Sequence, residues 1–127
     1  MDPVIHFELP ASDLARAQKF YQACFGWELM TPPGGTYVFA TTSPMDPGTM
    51  RPKEGGNING GMLARQAPVM APTIVIRTGD IERSLEAVKR SGGVPVGSKR
   101  DVGPGWSAYF RDPEGNVIGL FQDKPAK

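Results

Sequence analysis

Residues 4–27 run VIHFELPASDLARAQKFYQACFGW. The first six alternate, with Ile5, Phe7 and Leu9 on one face and Val4, His6 and Glu8 on the other. That is the period of a strand with one apolar side. Pro10 ends the run, because it has no N–H to give a ladder. Ser12 stands where a helix N-cap would be, and Asp13 in a first turn suits the helix dipole. Leu14, Ala17, Tyr21 and Cys24 then recur at helical spacing, which predicts an amphipathic helix over residues 13–25. On this spacing Phe20, Tyr21 and Cys24 are expected in the core, the thiol as a buried structural group. Gly26 is placed to stop the helix.

The chain then reads as a short strand at 27–30, a Pro-Pro-Gly-Gly turn at 32–35 and a strand at 36–42. Residues 43–56 hold prolines and glycines without periodicity and predict a long loop. A strand at 58–64 is weakened by Gly60 and Gly61. The second half repeats this order. After a connector at 65–71, residues 73–78 alternate, with Thr73, Val75 and Arg77 opposite Ile74 and Ile76. Asp80 opens a helix with Ile81, Leu85 and Val88 at helical spacing, and Gly92-Gly93 closes it. Strands follow at 94–96, 106–111 and 117–122, the last two joined by the turn Asp112-Pro113-Glu114-Gly115-Asn116. Asp112 and Asn116 are expected to cap backbone groups in that turn, and Trp27 to serve packing.

An offset of 67 residues lays Asp80-Ile81 on Asp13-Leu14, Gly93 on Gly26 and Thr73 on His6. The reading is therefore an α+β protein of tandem βαβββ units, unit one over 1–64 and unit two over 72–124, forming one domain. One helix covers one face of each small sheet. The other faces, carrying His6, Glu8, Thr73, Val75 and Arg77, are expected to line a cleft.

The 127 residues suit one compact domain. Lys and Arg number 14 against 13 Asp and Glu, so no charge excess exists to hold a nucleic acid. One cysteine excludes an internal disulfide and a Cys-rich zinc site. One histidine excludes a site needing two imidazoles from one chain. The segment MDPVIHFELP has no basic run and no long apolar stretch, so neither a signal peptide nor a membrane span is expected, and the cytoplasm is the expected compartment. Phosphate-binding glycine loops and a G-x-S-x-G elbow are missing from the chain.

The run from His6 to Trp27 resembles the first unit of the vicinal oxygen chelate superfamily, the glyoxalase, bleomycin-resistance and extradiol dioxygenase group. The run YFRDPEGNVIGLFQ, Tyr109 to Gln122, resembles its closing hairpin. The resemblance implies a divalent metal held by His and Glu from the first and last strands of each unit. His6 matches one such position. Thr73 stands at the second, Gly119 replaces a glutamate, and the corresponding first-unit strand reads Gly60-Gly61-Met62. One matching position of four falls short of the three protein ligands a catalytic metal usually takes, so no metal and no other cofactor is expected.

Three readings follow. The first is a metal-free protein that binds a small, partly apolar molecule in the cleft through His6, Glu8, Thr73, Val75, Arg77 and Trp106. Trp106 follows the glycine-flanked loop 103–105 and would stack on a planar ligand. The second is a metal-dependent lyase, isomerase or dioxygenase whose missing metal ligands come from Glu8 and from a second subunit, with His6 and Glu8 as its candidate catalytic groups. The third is a structural or regulatory module. A Glu8–Arg77 ion pair is the plainer role for those two side chains. Arg65, Lys99 and Arg100 are expected to be solvated. The resemblance also implies a homodimer, and the edges of the outer strands need cover.

Overall fold

The computed structural model describes residues 1–125. The chain divides into two compact units: His6–Pro72, and residues 73 onward together with Met1–Ile5. The first five residues thus group with the second half, where the Arg77 N–H donates to the Pro3 carbonyl at 2.9 Å.

The first unit contains β1 (Val4–Ala11, from His6 on), α1 (Leu14–Phe25), β2 (Glu28–Met30), β3 (Val38–Thr41), β4 (Met45–Asp46), β5 (Arg51–Pro52) and β6 (Asn59–Ala64). Its sheet runs in the order β2–β3–β6–β1, with β1 parallel to β6 and the other neighbours antiparallel. The second unit contains β7 (Thr73–Arg77), α2 (Ile81–Arg90), β8 (Val94–Asp101), β9 (Gly105–Arg111) and β10 (Val117–Asp123). Its order, β8–β9–β10–β7, is the same arrangement, again with the first strand parallel to the last. Both units are therefore βαβββ and the class is α+β, as the repeated element order implies. No described helix is long and apolar enough to cross a membrane.

Local chemistry explains the boundaries. Asp13, not Ser12, is the N-cap of α1, its carboxylate accepting from the Arg16 N–H at 3.0 Å. Asp80 does the same for α2 through Arg83. Either Ser12 or Asp13 has the oxygen a cap needs, and the chain turns helical one residue later than expected. Gly26 ends α1 in the left-handed conformation, φ 70°, which suits a residue without a Cβ. Residues 43–56 are not structureless, since β4 and β5 pair as a small hairpin. Asn59 ties down its base, accepting from the Thr42 and Ser43 N–H groups at 2.8 and 2.9 Å and donating to the Ser43 carbonyl.

The core of the first unit lies between α1 and its sheet. Met62, 0% exposed, and Val38 are fully buried there, and the Tyr21 ring stacks on Trp27 with centroids 4.6 Å apart. Trp27 in turn meets Phe7 from β1. Two expectations for α1 fail. Cys24 is exposed, and Phe20 is 54% exposed. Tyr21 packs on Trp27, and Phe20 and Cys24, which lie to one side of Tyr21 around the helix, face outward. In the second unit Ile81, Ala108 and Leu120 form the core, with Ile76, Leu85, Trp106 and Phe110 packed on it. Asp112 caps the hairpin turn as expected, while the Asn116 amide donates to the Asp112 carboxylate rather than to a backbone group. Asp112 accepts from the Glu114 and Asn116 N–H groups, both at 2.9 Å.

Candidate functional site

The register of each sheet sorts the site residues by face. In the first unit Phe7 lies beside Gly60 and Leu9 beside Met62, on the side that α1 covers. Glu8 lies beside Gly61, and Gly61 beside Phe39, on the open side. His6 alternates onto that open side too. Its Nε2 shares a 2.8 Å hydrogen bond with the Tyr37 hydroxyl. The Phe39 ring meets Tyr37 edge-on, 5.4 Å between centroids. Met30 pairs with Phe39 across the β2–β3 ladder, and both side chains are exposed. The open face thus carries one imidazole–phenol pair, one buried carboxylate (Glu8, 6% exposed) and an accessible apolar margin.

Glycine makes this arrangement possible. A Cβ on Gly61 would fall on the hydroxyl and ring edge of Tyr37. Any side chain at 61 therefore displaces the phenol that His6 holds. Tyr37 was not among the residues read from the sequence. It lies 31 residues from His6, so no local spacing links them. The one usable signal was the Gly60-Gly61 pair, which marks close approach by a neighbour within a strand.

In the second unit Thr73 and Val75 are buried. Val75 lies beside Gly119, and Gly119 beside Tyr109. A Cβ on Gly119 would stand 3.0 Å from Val75 Cγ2 and 3.5 Å from Tyr109 Cε1. Arg77 shares this face by alternation, and its Nε lies 3.1 Å from Asp123 Oδ2. The ion pair that the structure gives Arg77 is thus to Asp123, on the next strand. Trp106 is placed differently from the expectation. It packs with Ile76, Ala108 and Leu120 on the side that α2 covers. Lys99 and Lys124 hold its ring, with Nζ 4.7 and 5.6 Å from the centroid. Period-2 alternation explains the correction, because Trp106, Ala108 and Phe110 share a face and Tyr109 takes the other. Lys99 and Arg100 are engaged with the aromatic rings of Trp106 and Tyr109 rather than simply solvated. Arg65 likewise donates to the Met70 carbonyl at 2.8 Å and the Pro10 carbonyl at 3.3 Å.

Burial lowers the His6 pKa from its ordinary value, and the charge of Glu8 pulls partly the other way. The imidazole is therefore neutral in the folded protein at pH 7. The unfolded chain takes up that proton at higher pH than the folded one. Stability from this group is full above about pH 6.5 and is lost as the pH falls through the lower folded value. Thermal midpoints are expected to decline as the pH falls below about 6.5. His6→Gln should flatten that slope. An unchanged slope in the variant would show that His6 is not its source.

The cation that the resemblance implies does not fit the donors present. Among the described residues no group of three His, Cys, Asp or Glu side chains stands close enough to hold a metal ion. Gly61 and Gly119 face Tyr37 and Val75 where ligand side chains would start.

Residues 4–43 match the family model described as bleomycin resistance protein-like N-terminal. A glyoxylase-like domain-containing protein of Didymella fabae is 31% identical over 118 residues, covering 89% of this chain and 88% of that one. A longer protein, CFP32 of Mycobacterium tuberculosis (strain CDC 1551 / Oshkosh), is 28% identical over 123 residues, which are 91% of this chain and 43% of that one. Among solved structures, a glyoxalase/bleomycin resistance protein/dioxygenase superfamily member from Vibrio splendidus 12B01 superimposes with a TM-score of 0.61 at 18% identity, covering 98% of this chain and 100% of that one. Methylmalonyl-CoA epimerase in complex with methylmalonyl-CoA and NH4+ gives a TM-score of 0.67 at 15% identity, covering 100% and 98%. At these identities the two structures carry the fold alone.

Proposed function

We propose that this chain, which belongs to the vicinal oxygen chelate superfamily of glyoxalases, bleomycin resistance proteins and dioxygenases, binds a small, partly apolar molecule without a metal. The observation that carries this reading is the His6–Tyr37 pair beside the exposed Phe39 and Met30. One or two polar groups set in an apolar surface are the usual make-up of a small-molecule site. His6 and Tyr37 supply the hydrogen bond, and Phe39 and Met30 the apolar contact. Glu8 keeps the neighbourhood polar. Thr73, Val75 and Arg77 lie on the corresponding face of the second unit, where Thr73 and Val75 are buried and Arg77 is partly exposed. Trp106 does not, because its ring is engaged under α2 by core residues and two lysines.

The ligand that fits is a planar ring bearing one hydroxyl. Phenol and toluene serve as probes, titrated by calorimetry and by following the Phe39 and His6 resonances. Phenol is expected to move both. His6→Ala should weaken phenol about three- to tenfold, the worth of one hydrogen bond, and leave toluene nearly unchanged. Phenol binding that leaves both resonances still, or that ignores His6→Ala, would place the site elsewhere.

A further inference from the structure

We infer that Tyr37 is a specificity-determining residue that closes the open face of the first unit to divalent cations and turns His6 toward neutral, oxygen-bearing ligands. This rests on the reading that the same face binds a small molecule. Three observations support it. The space directly above Gly61 is where a donor side chain from that strand position would begin, and the Tyr37 hydroxyl fills it. That hydroxyl engages the imidazole Nε2 at 2.8 Å, so the nitrogen on this side of the ring is already committed. Gly61 lies beside Glu8, so the phenol also stands between His6 and the strand position from which a second donor would join Glu8.

The chemistry of the pair follows. A cation takes lone pairs from deprotonated donors and needs several of them converging. A neutral imidazole and a phenol joined by one hydrogen bond, whichever of them donates it, form a hydrogen-bonding station of no net charge. Such a station suits a hydroxyl or carbonyl oxygen, which gives or takes one hydrogen bond. It disfavours a metal ion, whose binding would require breaking the His6–Tyr37 bond and moving the phenol off Gly61. Tyr37 acts here through His6 and is a positioning residue in that sense.

The chain has one histidine, so its imidazole nitrogen signals both belong to His6, and the Nε2 signal is told from Nδ1 by its coupling to the ring protons. The experiment follows those signals in the whole protein for wild type, Tyr37→Phe and Gly61→Ala, alone, with excess Zn2+ and with phenol. Tyr37→Phe removes the hydroxyl and keeps the ring. Gly61→Ala keeps the hydroxyl and pushes it away, so each variant checks the other if one folds poorly. In wild type, Zn2+ should leave the His6 signals in place. In both variants the Nε2 signal should shift before any addition, and excess Zn2+ should then perturb it through the freed imidazole, a weak contact short of the three-ligand site that no group of described residues forms. Phenol affinity should fall about three- to tenfold in Tyr37→Phe. Zn2+ binding at His6 equally in wild type and both variants would overturn the inference. So would an Nε2 signal indifferent to Tyr37→Phe. If phenol fails to bind wild type while the Zn2+ and Nε2 results hold, the small-molecule reading falls and the exclusion of cations by Tyr37 stands.

Discussion

Gly60→Ala is expected to destabilise the protein by about 3 kcal/mol or more, at the upper end of the range for forcing extra volume into a packed site. A Cβ at this position would lie 2.5 Å from the Phe7 carbonyl oxygen and 2.6 Å from two carbons of its ring. The oxygen belongs to the backbone of β1, whose residues from His6 to Ala11 are laddered to β6, so it has no free direction in which to move. The ring also meets Trp27, 5.7 Å between centroids. Relief therefore requires β1 and β6 to part, and those strands align His6 with Asn59 and Glu8 with Gly61. Gly55→Ala is the control: nothing lies within 4 Å of its added carbon and its φ is not positive. That change should stay within about 0.5 kcal/mol. Urea unfolding with a common slope measures both. A Gly60→Ala loss below about 1 kcal/mol would show that Phe7 and β1 give way easily.

The same strand shows what the sequence made legible. In β1 the alternation of His6 and Glu8 against Phe7 and Leu9 needs only the geometry of an extended chain, and it holds. The repeated order of elements was equally visible, because each helix is opened by an aspartate cap, Asp13 and Asp80, and each is followed by a glycine turn. Properties set by contacts between distant segments were not. Cys24 sits at the right spacing for the apolar stripe of α1, yet the stacking of Tyr21 on Trp27 decides which side of the helix faces the sheet. Trp106 was readable in principle. Counting back from Phe110 by twos puts it under α2, whereas the glycine loop before it carries no information about which face the ring takes. Tyr37 was not readable, since its meeting with His6 depends on β3, β6 and β1 lying side by side and on the missing side chain at Gly61.

Gly119→Glu is the second large effect. Gly119 stands where the superfamily resemblance implies a metal-binding glutamate, and it is buried. If the position had merely lost its side chain, the room would remain and the variant would fold well. The structure argues otherwise, because Val75 and Tyr109 have closed over the glycine at 3.0 and 3.5 Å from an added carbon. Gly119→Ala should therefore cost about 1 kcal/mol, since the Val75 methyl must shift by a few tenths of an ångström. Gly119→Glu adds a charge on a face where Arg77 is already paired with Asp123 at 3.1 Å and where the donor found in the first unit at His6 is replaced by Thr73. A buried charge left without compensation costs about 3–5 kcal/mol. The thermal midpoint should fall far below that of Gly119→Ala, and equimolar Zn2+ should not restore it, since fewer than three donors converge there. A Gly119→Glu protein as stable as wild type, or one whose midpoint Zn2+ raises, would mean that the cation site is one substitution from completion. Val75 and Tyr109 would then be occupants that yield rather than walls.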